Sequence, residues 1–492
     1  LSGPARLSKT GAGTLNLSGT STSAGSLSVL DGTLQITGGS TAFGTGPSYV
    51  GYRNGNAVMN FTGGSNYFAG DFRVGGSDIN GLGITPTGTV TIANSTLSVG
   101  SLTIARGNNI QNTAVGTVTV NEGGILNSEG DIVVDFAGDA DNNAVLNINA
   151  GGTVNIATTV TRWFIMSQWD FGDATLNING GQLNLNANTD LRFATGNNNG
   201  TNVVNLNSGA ITFYSDNKTT VGGNGQIFMH EGGGASRNFF NLNGGTLSVF
   251  EVLGGNAAGS REFNFNGGTL RAIGNTTTFF SLVAGDPANV RNGGAIIDTA
   301  GFDVTIPHLL QHSVKPGDAE KDGGLTKLGA GTLTLTASNT YTGDTTINAG
   351  TLIITSPYLA DTANVNIAAS GKLQLNFAGT DVVNGLTIAG VAQPAGTYGA
   401  TGSGATHIDD VHFAGTGVLQ VGAAAPVLNV SQAGNTLTFT WTGSYKLVAQ
   451  THSLSTGLQA GAWYDYPGGV TSPVVITIDP NQPTVFFGLA PQ

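Results

Sequence analysis

The sequence predicts an all-β chain, a parallel β-solenoid followed by a small β-sandwich module. Three observations point there. Gly makes up 78 of 492 residues, more than double the usual share of about 7%, which ordinary helical packing does not accommodate. A turn of the Asn-Gly-Gly type recurs at Gly124, Gly152, Gly181, Gly209, Gly245, Gly268 and Gly294, with looser copies at Gly32, Gly64 and Ser95. Between these turns short runs alternate apolar and small polar side chains, the two-residue period of a strand.

Composition removes the competing classes. The glycines do not fall at every third position and Pro is only 14, so a collagen helix is excluded. A hydrophobic share of 39% is enough for a core. No apolar run reaches the roughly 18 residues of a membrane-spanning helix. With no Cys there is no disulfide framework. The net charge of −12 and pI near 4.7 argue against nucleic acid, whose phosphates need clustered Lys and Arg. A start at Leu1 rather than Met suggests a processed form.

Within a repeat the order is constant: a run such as Thr246 to Glu251, a second at Leu253 to Gly255, a Gly/Asn/Ser turn, then Glu262 to Asn266. Three short strands make one coil. A single coil cannot bury its apolar side, but coils stacked at the ~4.8 Å strand spacing share one continuous core. About 13 coils are expected over residues 1–422, a rod on the order of 60 Å.

Ahead of the turns the pattern is apolar-Asn-apolar-Asn, as in Leu146-Asn147-Ile148-Asn149, Leu176-Asn177-Ile178-Asn179 and Phe263-Asn264-Phe265-Asn266. The alternation turns Leu146 and Ile148 inward and Asn147, Asn177 and Asn264 toward solvent. The second Asn of each pair falls at the corner, where stacked amides can bond one another.

Both ends carry a shorter unit. GAGTLNLSGTSTSAGSLSVLDGTLQI at 11–36 aligns without a gap to GAGTLTLTASNTYTGDTTINAGTLII at 329–354. The segment 325–354 resembles the autotransporter-associated β-strand repeat of secreted passenger regions, through Lys327, Gly329, Gly331, Thr332, Leu333, Asn339, Tyr341, Gly343, Thr345 and Gly350. The following segment, with Gly396-Thr397-Tyr398-Gly399 and Gly415-Thr416-Gly417, is similar to the closing part of repeat proteins from environmental Gram-negative groups. The resemblance implies a right-handed β-helix outside the cell or at its surface, in a Gram-negative-type bacterium. It implies no catalytic residues and no cofactor.

Ala423-Ala424-Ala425-Pro426 reads as a linker at 423–426. Beyond it, Val427 to Val430, Leu437 to Trp441, Tyr445 to Gln450, Val474 to Ile478 and Val485 to Leu489 read as strands of a small sandwich over 427–492. At roughly 9 to 11 residues per spanning strand, this tail is too short for the translocating barrel that ends an autotransporter.

No catalytic constellation emerges. Asp135, Asp139 and Asp141 form the densest acidic group, in a Gly-containing turn where Asp is common for backbone reasons, without the spacing of a calcium loop. His230, His308, His312, His407, His412 and His452 form no metal-ligand pair, since His308 and His312 are four apart beside Pro307 and not on a helix. No Gly-x-Ser-x-Gly elbow is present. No metal site and no nucleophile are expected.

Trp163 and Trp169, with Phe164 and Phe171, form the one aromatic concentration that the sequence shows in the solenoid. They are candidate carbohydrate contacts, with Arg162 and Asp170 as hydrogen-bonding neighbours. Arg53, Arg106, Arg192, Arg237 and Arg261 recur near one corner and read as a solvated edge.

The expected function is therefore structural or adhesive, an extracellular fibre subunit joined head-to-tail to its own copies by strand addition. Leu1 and Leu7 at one end and Val485, Phe486 and Phe487 at the other are the candidate subunit contacts. Surface glycans are the candidate ligands. The alternatives are a polysaccharide-degrading β-helix enzyme and a sugar-binding surface protein, because one scaffold hosts many functions.

Overall fold

A computed structural model describes residues 5–53, 55–76, 85–107, 113–136, 142–156, 162–169, 172–186, 189–197, 199–214, 225–256, 258–422, 427–443, 445–453, 455, 457–459, 461–478 and 484–491. Leu1, Asp139, Asp141, Asp170, Phe171 and the 423–426 segment lie outside them. The chain forms two compact units, Leu1–Leu419 and Gln420–Gln492.

The larger unit is a β-solenoid of parallel ladders on three faces. The first face begins at Thr14–Leu17 and passes through Gly32–Ile36 and Asn56–Phe61 to Leu310–His312. The second begins at Ser21–Ser23 and climbs without a break to Gly385–Ile388. The third begins at Leu7–Lys9 and Leu27–Val29 and reaches Phe280–Ser281. A separate ladder then continues through Val304–Ile306, Thr332–Leu335, Gly350–Ile354, Gly371–Leu375 and Phe413–Gly415.

In-register stacking turns the period-2 pattern into columns. On the first face Leu34, Met59, Val90, Val118, Leu146 and Leu176 follow one another rung by rung, all at most 1% exposed. Each buried Leu or Val contributes about 1.5–3 kcal/mol.

The aromatic residues extend this core. Phe240 and Phe263 stack at 4.9 Å and 7°, the spacing of adjacent rungs, and Phe263, Phe265 and Phe280 close a second contact group. Phe43, Phe61, Phe68 and Phe72 form another. The Trp163 region is therefore not the one aromatic concentration of the solenoid. Local sequence hides the others because their stacked pairs, Phe43 with Phe68 and Phe240 with Phe263, stand more than twenty residues apart and meet through the parallel register.

The asparagines form ladders. Asn177 donates to Asn147 at 2.9 Å, Asn205 to Asn177 at 2.9 Å, Asn241 to Asn205 at 2.8 Å, Asn264 to Asn241 at 2.8 Å and Asn289 to Asn264 at 2.9 Å. A corner ladder links Asn121, Asn149, Asn179, Asn207, Asn243 and Asn266, as the apolar-Asn pattern predicts. A third joins Asn127, Asn155 and Asn184. Asn147 and Asn177 are half-buried, whereas Asn264 is buried at 3% exposure, not solvent-facing. Its neighbours on the adjoining rungs cover it.

The last strand of the second face, Gly385–Ile388, pairs antiparallel with Val391–Ala392, which covers that edge. The smaller unit contains two three-stranded antiparallel sheets. One holds Asn429–Ala433, Thr436–Thr440 and Val474–Thr477. The other holds Tyr464–Asp465, Tyr445–Thr451 and Val485–Pro491. Phe439, Trp441, Leu447 and Val474 form its core. Tyr464–Asp465 is a short strand that the sequence pattern does not announce. Among the described residues no helix is long and apolar enough to cross a membrane.

Candidate functional site

Arginine and aromatic side chains gather on the third face. Parallel register aligns Tyr49, Arg73, Thr103, Val133, Ile165, Arg192 and Phe228 in one column. A neighbouring column aligns Tyr52, Gly76, Arg106, Phe136 and Gln168. Guanidinium groups and rings interleave along both. Tyr49 lies between Arg6 at 5.0 Å and Arg73 at 5.2 Å. Arg106 stands over Phe136 at 4.6 Å, and Arg192 over Trp163 at 4.5 Å and Phe228 at 5.3 Å. Each such pair contributes about 0.5–1 kcal/mol at an exposed site.

Carboxylates balance these charges. Asp71 accepts from Arg73 at 2.6 Å, lies 3.7 Å from Arg106, and accepts from Ser101 and Thr103 at 3.1 Å. Arg192 joins Asp190 at 3.0 Å and also Glu231. Burial pushes the Glu231 carboxyl up, against the pull of the Arg192 charge. The arginines expected at a solvated edge therefore divide. Arg53 and Arg237 are exposed, whereas Arg106 and Arg192 are tied into this face, and Arg261 is buried at 2% with Asp286 as its partner.

The two tryptophans take different positions. Trp163 is half-buried on the Arg162–Gln168 strand, against Arg192. Phe164 beside it is fully buried and belongs to the core. Trp169 is 49% exposed and holds a left-handed backbone, φ 66°, which is an outlier for a bulky residue and costs about 1–3 kcal/mol. Its N–H donates to Thr195 O at 3.0 Å. Its ring lies over Gly196, where an added Cβ would come within 2.8 Å of Cε3. The same left-handed backbone recurs at Arg53, Ala105 and Ala194.

Asp135, His230, His308 and His312 are buried or paired. Asp135 is fully buried, and burial raises its pKa well above the usual carboxylate value although Asn142 donates to it at 3.1 Å. His308 Nε2 lies 2.8 Å from Asp286 O, and His312 Nδ1 lies 2.9 Å from Asp322, so the two imidazoles turn to different partners. Ser236 Oγ and His230 Nδ1 are 2.9 Å apart, a hydroxyl–imidazole pair that sequence spacing did not suggest, but both residues are fully buried. Among the described residues no group of three or more His, Asp and Glu is placed to hold a metal.

Known proteins resemble parts of this chain. Residues 7–36 and 325–354 match the family model described as Passenger-associated-transport-repeat; the second of these repeats does not end the solenoid, whose ladders continue to Gly385–Ile388 and Phe413–Gly415. The first match begins ahead of Gly11 and includes Lys9. The adhesin BmaC autotransporter of Brucella suis biovar 1 (strain 1330) is 29% identical over 168 residues, which cover 30% of this chain and 5% of that protein. The chain thus aligns with a small fraction of that relative's length. No solved structure matches.

Proposed function

We propose that the protein is an extracellular adhesive β-solenoid of passenger type at the surface of a Gram-negative-type bacterium, whose arginine–aromatic face contacts surface glycans. The observation that carries this reading is the pair of passenger-repeat matches within a solenoid, together with its similarity to part of an autotransporter adhesin. The exposed Trp169 supports the glycan contact, because a flat apolar ring suits a sugar face. Charge balance on this face favours stacking over attraction of a highly charged polymer.

The subunits assemble head-to-tail by strand addition in this reading. Support comes from edges with one partner among the described residues: Leu7–Lys9 pairs with Leu27–Val29, and Val485–Pro491 pairs with Tyr445–Thr451. Leu7, Phe486 and Phe487 are half-buried on these strands.

Retention of the purified chain on host-cell glycans tests the contact. Trp169→Ala should weaken retention about tenfold and leave the β-sheet circular dichroism unchanged. Equal retention removes the glycan reading from this face. Electron microscopy tests assembly, and dispersed single particles at high protein concentration contradict it.

A further inference from the structure

The lysine shared by the two passenger repeats has no role in surface contact, because its ammonium points into the solenoid. Lys9 is 7% exposed and Lys327 is fully buried. Lys327 occupies an inward column whose neighbouring rungs place Ile297 on one side and Ile347 on the other, and Lys9 is aligned with Val29. Each lysine stem thus fills a position that takes a branched apolar residue in the next coil.

The head group leaves that column for the corner. Lys327 Nζ donates to Leu328 O at 3.0 Å, Gly329 O at 2.8 Å, Ala349 O at 3.0 Å and Thr299 Oγ1 at 3.0 Å. Lys9 Nζ donates to Gly11 O at 2.5 Å and Asp31 O at 2.7 Å, with Thr10 O at 3.4 Å. Thr10, Gly11 and Asp31 are the aligned equivalents of Leu328, Gly329 and Ala349. The same cage therefore forms twice. In both copies the oxygens come from the residues just after the lysine and from the residue before a left-handed Gly in the following coil, Gly32 at φ 69° and Gly350 at φ 67°.

Neither lysine has a carboxylate within salt-bridge distance among the described residues. Carbonyl oxygens, joined at Lys327 by the Thr299 hydroxyl, accept every hydrogen bond of the ammonium, the chemistry that replaces the hydration shell of a monovalent ion, while Asp298 and Asp303 favour the Lys327 charge from farther off. Without the ammonium these inward-pointing carbonyls would lose a partner, at a cost comparable to a lost buried hydrogen bond. Burial lowers the Lys327 pKa to about 8, so the group remains a cation at neutral pH.

We propose that each repeat builds an internal monovalent-cation site from its corner carbonyls, that Lys9 and Lys327 fill these sites with their own ammonium groups, and that the filled sites clamp consecutive coils in register. The passenger repeat then marks where the solenoid is pinned, and its lysine is a positioning residue for the stack. Lys327 bridges three coils, through Thr299, its own corner and Ala349, whereas Lys9 bridges two.

Selective 15N labelling of lysine tests this on the unmodified protein. Two ammonium signals with slowly exchanging protons are expected at pH 6, and their absence would overturn the proposal. Lys327→Met keeps the apolar stem and deletes the charge. Hydrogen exchange at the amides of residues 328–331 and 349–351 should then accelerate on the order of 100-fold, with a smaller change around 10–13 for Lys9→Met. Lys327→Ala should recover part of its protection in ammonium or potassium chloride, relative to tetramethylammonium chloride at equal ionic strength. Exchange in Lys327→Met equal to that of the parent chain, or no difference between these salts, would contradict the cation-site assignment. If Lys327→Met fails to fold, the labelling experiment and Lys9→Met still decide.

Discussion

The two passenger repeats have the same corner and different surroundings. In the first, Leu7–Lys9 belongs to the third-face ladder with Leu27–Val29 and Ser48–Tyr52. In the second, the aligned strand Leu325–Leu328 lies on the second-face ladder, between Ala295–Asp298 and Thr345–Ile347. The motif has moved by one face of the solenoid. A repeat thus specifies how a coil turns and where its lysine points, while the face on which it falls depends on the number of strands and corners completed before it. Packing differs as well. The second copy places Tyr341 at 2% exposure with its hydroxyl 2.9 Å from Thr345, where the first copy has Ser23.

Tyr341 offers the sharpest way to widen that contrast. Tyr341→Ala should destabilise the second repeat by about 3–5 kcal/mol, as expected for truncating a buried aromatic, while Ser23→Ala should stay within about 0.5 kcal/mol. Urea melts of the two variants measure this. Comparable losses would mean that the copies are packed alike.

The glycine corners should respond equally, because they are the part the copies share. A Cβ on Gly350 would lie 2.3 Å from Gly331 O, and one on Gly32 would lie 2.5 Å from Gly11 O. Adding the left-handed backbone cost, each Gly→Ala substitution should lose roughly 2 kcal/mol or more. A large difference between Gly32→Ala and Gly350→Ala would break the equivalence of the corners.

The middle coils provide the third arm of the comparison, since there a buried acid stands without a cage. Asp135 has its folded pKa raised by burial, so the folded chain holds this proton to higher pH than the unfolded chain. Its contribution to stability is fully present below the ordinary aspartate pKa and declines as pH rises toward the folded value. Asp135→Asn should remove that decline and stabilise the solenoid by about 1–3 kcal/mol at pH 7. Melts from pH 4 to pH 8 test the sign. A variant less stable than the parent at pH 7 would show that the carboxylate is better accommodated than its burial indicates.

Much of this was legible before the fold. Three strands per coil, the inward Leu146 and Ile148 and the corner amide ladder follow from period-2 alternation and Asn-Gly turns, which act within a few residues. The arginines were less legible. Arg192 and Arg261 read as a solvated edge in sequence, yet their partners Glu231 and Asp286 stand 39 and 25 residues away. Trp169 was found as an aromatic residue, but its left-handed backbone has no signature in the neighbouring residues. Lys327 was recognised as a recurring position, while its cage was not, because Thr299 and Ala349 reach it only from adjoining coils.

The amino-acid order alone determined that this protein would coil, because alternation and glycine corners are properties of the local backbone and of side chains one strand apart. Tertiary structure decided which face each repeat occupies, which arginines meet carboxylates, and where a lysine can sit with carbonyl oxygens as its direct partners. Those outcomes depend on parallel register between segments some twenty to forty residues apart, and only the assembled stack brings their charges, rings and carbonyls together.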